Sequence, residues 1–137
     1  MRKAILILPF LLIIAVAGFA YFKFHNPTCK TGELKPEYRI SAVKLFNEYQ
    51  LVETTANSKY MNRVIEVSGK VKEVKSDLDG AVWVVIDAGN ALFAVSCKLA
   101  QSEIPFANQI QKQEQVTLRG TCKGIMIDVI LDECMIN

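Results

Sequence analysis

Residues 63–76 read RVIEVSGKVKEVKS, and this stretch has a period of two. Ile65 and Val67 alternate with charged or polar residues, which predicts a strand with one buried and one solvated face. Gly69 falls on the apolar face, which indicates strong coiling or the close approach of another backbone. The apolar phase slips by one residue at Val74, as it does at a β-bulge. The stretch therefore predicts a long, bent strand.

The chain continues with further strand patterns. Four segments predict strands: 81–87, 91–98, 115–120 and 127–136. The Asp79-Gly80 pair predicts the hairpin turn after the first strand, and a second phase slip after Leu131 predicts a bulge in the last strand. Residues 99–114 break the β pattern. Pro105 excludes a long helix there, so a short helix or an irregular connection is expected.

An amphipathic helix is predicted before the strands, over residues 41–60. Ser41 is a good N-cap, and apolar residues from Ala42 to Tyr60 recur at spacings of three and four. A helix, a three-stranded meander, a break and two more strands describe a five-stranded Greek-key barrel, the OB-fold, with the helix on one open end. The alternative is an open antiparallel sheet with the helix on one face. The two phase slips favour the barrel, because closing a sheet requires bends.

The N-terminus carries a long apolar segment. Residues 4–24 contain one charged side chain, Lys23, and are long enough to cross a hydrocarbon core of about 30 Å as a helix. Arg2 and Lys3 precede this segment, which favours a cytoplasmic N-terminus. The fold class expected from the whole sequence is therefore mainly β: an OB-fold barrel with a preceding amphipathic helix and an N-terminal transmembrane helix.

The expected organisation follows from that segment. Residues 1–24 are a transmembrane anchor or signal segment, 25–38 a linker and 39–137 the helix plus barrel. We expect a single-pass protein of the inner (cytoplasmic) membrane with its domain on the periplasmic or extracellular side. The alternatives are a cleaved signal peptide and a lipoprotein acylated at Cys29. All three readings place the domain outside the cytoplasm.

The cysteines predict disulfides rather than a metal site. The chain has four: Cys29, Cys97, Cys122 and Cys134. They lack CxxC spacing and the single histidine is His25, so neither zinc nor another cofactor is expected. Disulfides are typical outside the cytoplasm, although buried free thiols are an alternative. Because strands three and five of an OB barrel are parallel neighbours, a Cys97–Cys134 bond is expected.

Two segments carry a family resemblance: KYMNRVIEVSGKV, residues 59–71, and VTLRGTCKGIMIDVILDEC, residues 116–134. They resemble the tRNA-anti-like OB-fold proteins, small bacterial membrane-anchored or lipoprotein domains. The matching positions are Ala56, Asn57, Tyr60, Val67, Gly69, Val71, Gly120, Cys122, Gly124, Asp128, Val129, Leu131 and Cys134. The resemblance covers roughly residues 38–137. The resemblance implies the fold. It implies no particular activity, because one fold can serve many functions.

Charge argues against nucleic acid as a partner. From His25 onward the chain has 13 Lys/Arg and 14 Asp/Glu, a net charge of −1. Domains that bind nucleic acid through its phosphates normally have a basic excess. We therefore expect the partners to be the membrane, through residues 4–24, and an envelope protein, peptide or glycan.

The expected function is a non-catalytic binding or assembly module tethered to the cell envelope, with single-stranded nucleic-acid binding as the alternative. OB domains bind on strands two and three and on the loops after strands one and four. The candidate binding residues are Lys70, Lys72, Trp83, Arg119 and Lys123. An enzyme is not expected, because a nucleophile motif is lacking and His25 is the only histidine.

Overall fold

The computed structural model describes Ile14, Val16 and residues 33–137. Its elements are β1 (Tyr38–Ser41), α1 (Ala42–Leu51), α2 (Glu53–Tyr60), β2 (Val64–Ser76), β3 (Val82–Asp87), β4 (Ala94–Leu99), a 3-10 helix (Gln101–Gln109), β5 (Gln115–Ile125) and β6 (Val129–Ile136). The predicted anchor, residues 4–24, otherwise lies outside the described residues. Within the described part of the chain, no helix is both long and apolar enough to cross a membrane.

The strands form a closed barrel. Their order is β1-β2-β3-β4-β6-β5, and a further pairing of β2 with β5 closes the sheet. The first half of β2 pairs with β5 and the second half with β3, with a register shift between Val71 and Glu73. The OB-type barrel is thus confirmed and the open sheet is wrong. The bend in β2 allows one strand to pair with two neighbours.

The last strand contains the second predicted bulge. Strands β4 and β6 are parallel, as expected, but the register shifts so that Cys97 pairs with Leu131 while Leu99 pairs with Cys134. Glu133 has a positive φ of 51° at this irregularity. Both cysteines are buried.

The predicted disulfide is absent from the structure. Cys97, Cys122 and Cys134 are free cysteines, so the expected Cys97–Cys134 bond is corrected to two buried neighbouring thiols. The physical reason is the register, because Cys134 pairs with Leu99 and not with Cys97.

The segment before the barrel differs from the prediction in two respects. Tyr38–Ser41 forms a short strand that pairs in parallel with β2. The single helix predicted over 41–60 is two helices, because Val52 adopts an extended conformation with φ −149° and ψ 96°. Val52 is 51% exposed, although the spacing placed it on the buried face. The predicted N-cap is confirmed, since the Ser41 hydroxyl accepts from the Lys44 N–H at 3.3 Å.

The core fills the barrel and the surface under α1. Leu45, Phe46 and Tyr49 of α1 are buried with the inward side chains of the strands. Residues 99–114 contain the 3-10 helix, which includes Pro105. A short helix or an irregular connection is expected in this break, and the structure has a 3-10 helix over Gln101–Gln109.

Candidate functional site

The outer face of β3 and β4 has one aromatic side chain between two lysines. Trp83 on β3 pairs with Lys75 on β2 and with Lys98 on β4. Directly paired residues point to the same side of a sheet, with Cβ atoms about 4.5–5.5 Å apart. Trp83 and Lys98 are half-buried and Lys75 is exposed. We call this row of three residues the Trp83 face.

The β2–β3 turn sets this register. The Asp77 N–H donates to the Ala81 carbonyl at 2.8 Å, and the Gly80 N–H donates to the Asp77 carbonyl at 3.0 Å. Gly80 has a φ of 80°, a left-handed conformation that glycine adopts at no steric cost. A three-residue loop with glycine in this position is a common hairpin connection. It places Lys75 opposite Trp83.

A shallow groove of about 230 Å³ borders the tryptophan and is lined by Lys75, Ser76, Asp77 and Trp83. The Asp77 carboxylate already accepts from the Leu78 N–H at 2.6 Å. Lys98 Nζ lies 4.0 Å from Asp132 Oδ1, a partly exposed ion pair of small energetic weight. The groove therefore offers an indole ring, a nearby ammonium group and a carboxylate that has a local partner.

The structure separates Trp83 from the other four predicted binding residues. Lys70 is exposed and pairs with Gln115, and Lys72 Nζ donates to the Ala91 carbonyl at 3.0 Å. Lys123 is exposed near the end of β5.

Arg119 is involved in an ion-pair network on the β2–β5 side of the barrel. Its Nη2 lies 3.3 Å from Glu66 Oε2. Glu66 also pairs with Arg39 at 3.5 Å and accepts from Asn137 at 2.7 Å. Arg119 and Glu66 are largely buried, so this network joins β1, β2, β5 and the C-terminal residue. Its arrangement is that of a structural contact.

Lys75 and Lys98 were not among the binding residues predicted from the sequence. The available signal for Lys75 was the turn, because a three-residue loop at Leu78–Gly80 makes residues 75 and 83 partners. Lys98 required the register of the next hairpin, in which Trp83 pairs with Lys98.

A larger cleft of about 500 Å³ lies beside the 3-10 helix and is lined by Glu103, Phe106, Gln109, Ile110, Glu114, Gln115, Val116, Thr117, Ile136 and Asn137. Its two carboxylates have local partners. Glu103 accepts from the Ile136 N–H at 3.2 Å and Glu114 from the Gln111 N–H at 2.8 Å. These bonds fix the connection between β4 and β5, and the cleft lacks the paired cations of the Trp83 face.

Several groups with shifted pKa values lie on the helical side of the barrel. Burial and the Cys122 thiol, 3.4 Å from the hydroxyl, raise the pKa of Tyr49. A hydrogen bond from Tyr60 lowers the pKa of Glu48, and Lys59 acts in the same direction. Among the described residues, no three or more His, Cys, Asp or Glu side chains are grouped so that they could hold a metal ion. These shifts belong to the packing of α1 and α2.

The chain is similar to several solved structures. The crystal structure of a "putative nucleic acid-binding lipoprotein" from Klebsiella pneumoniae subsp. pneumoniae MGH 78578 matches with a TM-score of 0.58 and 14% identity, covering 72% of this chain and 90% of that one. A "putative aspartyl-tRNA synthetase" from Leishmania major Friedlin matches at 0.48 and 11%, covering 72% and 20%. The aspartyl tRNA synthetase from Entamoeba histolytica matches at 0.45 and 11%, covering 82% and 23%. The chain spans about a fifth of each synthetase's length.

The closed five-stranded barrel with parallel β4 and β6 defines the chain as an OB-fold protein. The model of the tRNA_anti-like family matches residues 1–136, and the chain belongs to that family. The resemblance noted in the sequence is thereby confirmed. No curated protein matches the chain.

Proposed function

We propose that this protein is a non-catalytic binding module of the cell envelope and that the Trp83 face is its ligand-binding surface. The observation that carries the proposal is the Lys75–Trp83–Lys98 row. The partly exposed indole provides an apolar, flat contact, and ammonium groups on either side attract anions. The matching ligand combines apolar or planar groups with repeated negative charge, as acidic peptides and anionic glycans do.

The tether is the second part of this proposal. The apolar segment 4–24, with Arg2 and Lys3 before it, supports a single-pass anchor with the domain outside the cytoplasm. Protease added to intact spheroplasts should degrade residues 33–137. A domain that is protected until the membrane is lysed would contradict this orientation.

Single-stranded nucleic acid is the second candidate ligand, and the same row favours it. Proteins that bind single strands stack bases on aromatic rings beside cationic side chains, with stacking worth about 1–3 kcal/mol per base. The family and the description of the Klebsiella protein add support. The balance of 13 Lys/Arg and 14 Asp/Glu from His25 onward argues against it.

Trp83 is the only tryptophan, so its fluorescence reports directly on the proposed face. The full chain in detergent micelles would be titrated with poly-glutamate, with alginate and with a dT oligonucleotide of about 12 nucleotides. Lys75→Ala and Lys98→Ala should each weaken binding roughly two- to fivefold, the effect of an exposed ionic contact of about 0.5–1 kcal/mol. Lys70→Ala removes an equal charge from β2 outside this face and should leave binding unchanged.

The three probes distinguish the two candidates. Binding of poly-glutamate or alginate that Lys75→Ala weakens supports an acidic envelope partner. Binding of dT alone, with strong quenching of Trp83, supports the nucleic-acid candidate. If none of the three probes changes the fluorescence at low salt, or if Lys70→Ala has the same effect as Lys75→Ala, the proposed face is wrong.

A further inference from the structure

One end of the barrel exposes large apolar side chains on two neighbouring loops. Met126 and Ile127, in the β5–β6 turn, are 88% and 72% exposed, and Leu92, in the β3–β4 loop, is 80% exposed. A cleft of about 400 Å³ joins these loops and is lined by Tyr49, Gln50, Glu53, Phe93, Ile125, Met126 and Ile127. We call Leu92, Met126 and Ile127 the apolar rim. Contiguous exposed apolar groups mark a surface that contacts a protein or a membrane.

The turn that carries the rim is held in place. The Met126 N–H donates to the Asp128 carbonyl at 3.1 Å. The Asp128 carboxylate accepts from the Ala94 N–H at 3.0 Å and from the Ser96 hydroxyl at 2.7 Å. These bonds attach the base of the turn to β4. Met126 and Ile127 therefore project from a fixed scaffold.

The N-terminal part of the chain reaches the barrel at this same end. The Glu37 N–H donates to the Val64 carbonyl at 2.8 Å, at the beginning of β2. The Asn62 N–H donates to the Cys122 carbonyl at 2.8 Å, and β5 continues from Cys122 towards the β5–β6 turn. Strand β1 runs parallel to β2 and so leads away from this end. Residues before β1 consequently approach from the side of the apolar rim.

Only a short stretch of chain separates the barrel from the expected anchor. The apolar segment ends at Phe24, and the 13 steps to Glu37 span at most about 45 Å when fully extended. The far turn, which carries Leu78, lies at the other end of β2. A tethered domain can thus present its rim to the bilayer and keep Leu78 and the Trp83 face in water.

We propose that the apolar rim docks on the lipid bilayer that holds the anchor, with Met126 and Ile127 at the boundary between headgroups and acyl chains. This inference rests on the proposed membrane tether. It assigns the domain a fixed orientation, with the hairpin turn inserted like the apolar face of an interfacial segment. We assign a lipid surface as the partner of the apolar rim for two reasons. The chain before β1 approaches from the side of the rim, and it is short enough to hold that side near the membrane.

Depth-dependent quenching tests the orientation. The full chain, with Trp83→Phe, would carry a single new tryptophan through Ile127→Trp or, as the matched control at the opposite end, through Leu78→Trp. Leu78 is fully exposed. In vesicles of phosphatidylcholine with brominated acyl chains, the Ile127→Trp chain should be quenched roughly threefold or more relative to the control. Met126→Trp provides a second reporter if Ile127→Trp does not fold.

Each of the following results would overturn rim docking. Equal, weak quenching of both reporters in a chain that floats with the vesicles overturns rim docking and leaves the tether supported. A full chain that fails to float overturns the tether and rim docking together. Protection of the rim reporter from iodide without lipid quenching, in a chain of dimeric mass, shows that a second copy covers the rim and also overturns the proposal.

Discussion

The Ser96 hydroxyl donates a 2.7 Å hydrogen bond to Asp128 Oδ2 and thereby joins β4 to the β5–β6 turn. Ser96 is 4% exposed, so its hydroxyl has little access to water. Asp128 also accepts from the Ala94 N–H at 3.0 Å. An acidic residue that suggested no chemistry in the sequence is thus a structural connection across the parallel β4–β6 pair.

Asp128→Ala should lower the free energy of unfolding by about 2–4 kcal/mol. The variant removes two charge-assisted hydrogen bonds and leaves the buried Ser96 hydroxyl without this acceptor. Urea denaturation of the full chain in a mild detergent measures the change. Asp79→Ala, in the exposed β2–β3 turn, is the control and should stay within about 0.5 kcal/mol of the parent chain. Equal losses in the two variants would contradict the role given to Asp128.

Gly69→Ala should destabilise the barrel by about 1–3 kcal/mol through overpacking. A Cβ atom at this position would lie 2.5 Å from Ile86 Cγ2 and 3.3 Å from Ala42 Cβ, between β3 and the beginning of α1. Thermal unfolding of the variant measures the loss. Ser68→Ala, the neighbouring position on the same strand, should change the midpoint little. A Gly69→Ala chain as stable as the parent would show that α1 does not pack closely there.

The stability of the chain should fall as the pH drops through and below 4.5, and Glu48 should account for part of that fall. Tyr60 donates to Glu48 Oε2 at 2.7 Å and Lys59 at 3.0 Å, which holds the pKa of Glu48 below its ordinary value of 4.5. A carboxyl with a lowered pKa in the folded state contributes stability above its unfolded pKa and loses it as the pH falls through the folded value.

Melting curves from pH 7 to acid conditions test this prediction. Glu48→Gln should be less stable than the parent at neutral pH and should show a flatter decline in acid. Glu73→Gln, an exposed change on β2, should follow the parent curve. If Glu48→Gln instead retained the parent's full pH dependence, the hydrogen bonds from Tyr60 and Lys59 would make no contribution to the pH dependence of stability.

The thiols of Cys97, Cys122 and Cys134 should be unreactive in the native protein. All three are buried, and burial raises the pKa of Cys122 and of Cys134, which disfavours the reactive thiolate. In a Cys29→Ser chain, Ellman's reagent should titrate three thiols after unfolding without reductant, and essentially none before it. A single titratable thiol in the unfolded chain would show that two of the cysteines are joined.

Much of the barrel was predictable because its signals are local. The alternation around Ile65 and Val67, the phase slip at Val74 and the Asp79-Gly80 turn each act over a few residues, and together they specify a bent first strand and its hairpin. The parallel pairing of β4 and β6 was predictable because strands three and five of an OB barrel are parallel neighbours. The Ser41 cap was predictable for the same reason, since its partner is three residues away.

The remaining features depend on contacts between distant segments. Strand β1 is four residues long, and its partners around Ile65 lie 27 residues ahead, so no local pattern identifies it. The break at Val52 is also invisible in a pattern of threes and fours that continues through it. Of the predicted binding residues only Trp83 lies on the proposed face, because strand register, rather than composition, decides which lysines stand beside it.

The central claim is that ligand binds at Trp83 and its flanking lysines. In a ¹H–¹⁵N correlation spectrum of the full chain in micelles, the single indole resonance identifies Trp83 directly. Poly-glutamate and the dT oligonucleotide would be added in separate titrations. At least one should shift the indole peak and the amides of Lys75 and Lys98, while the amides of Glu103 and Asn137 beside the larger cleft stay in place. Shifts concentrated at Glu103 and Asn137 with an unmoved indole, or no shifts with either probe, would contradict the account.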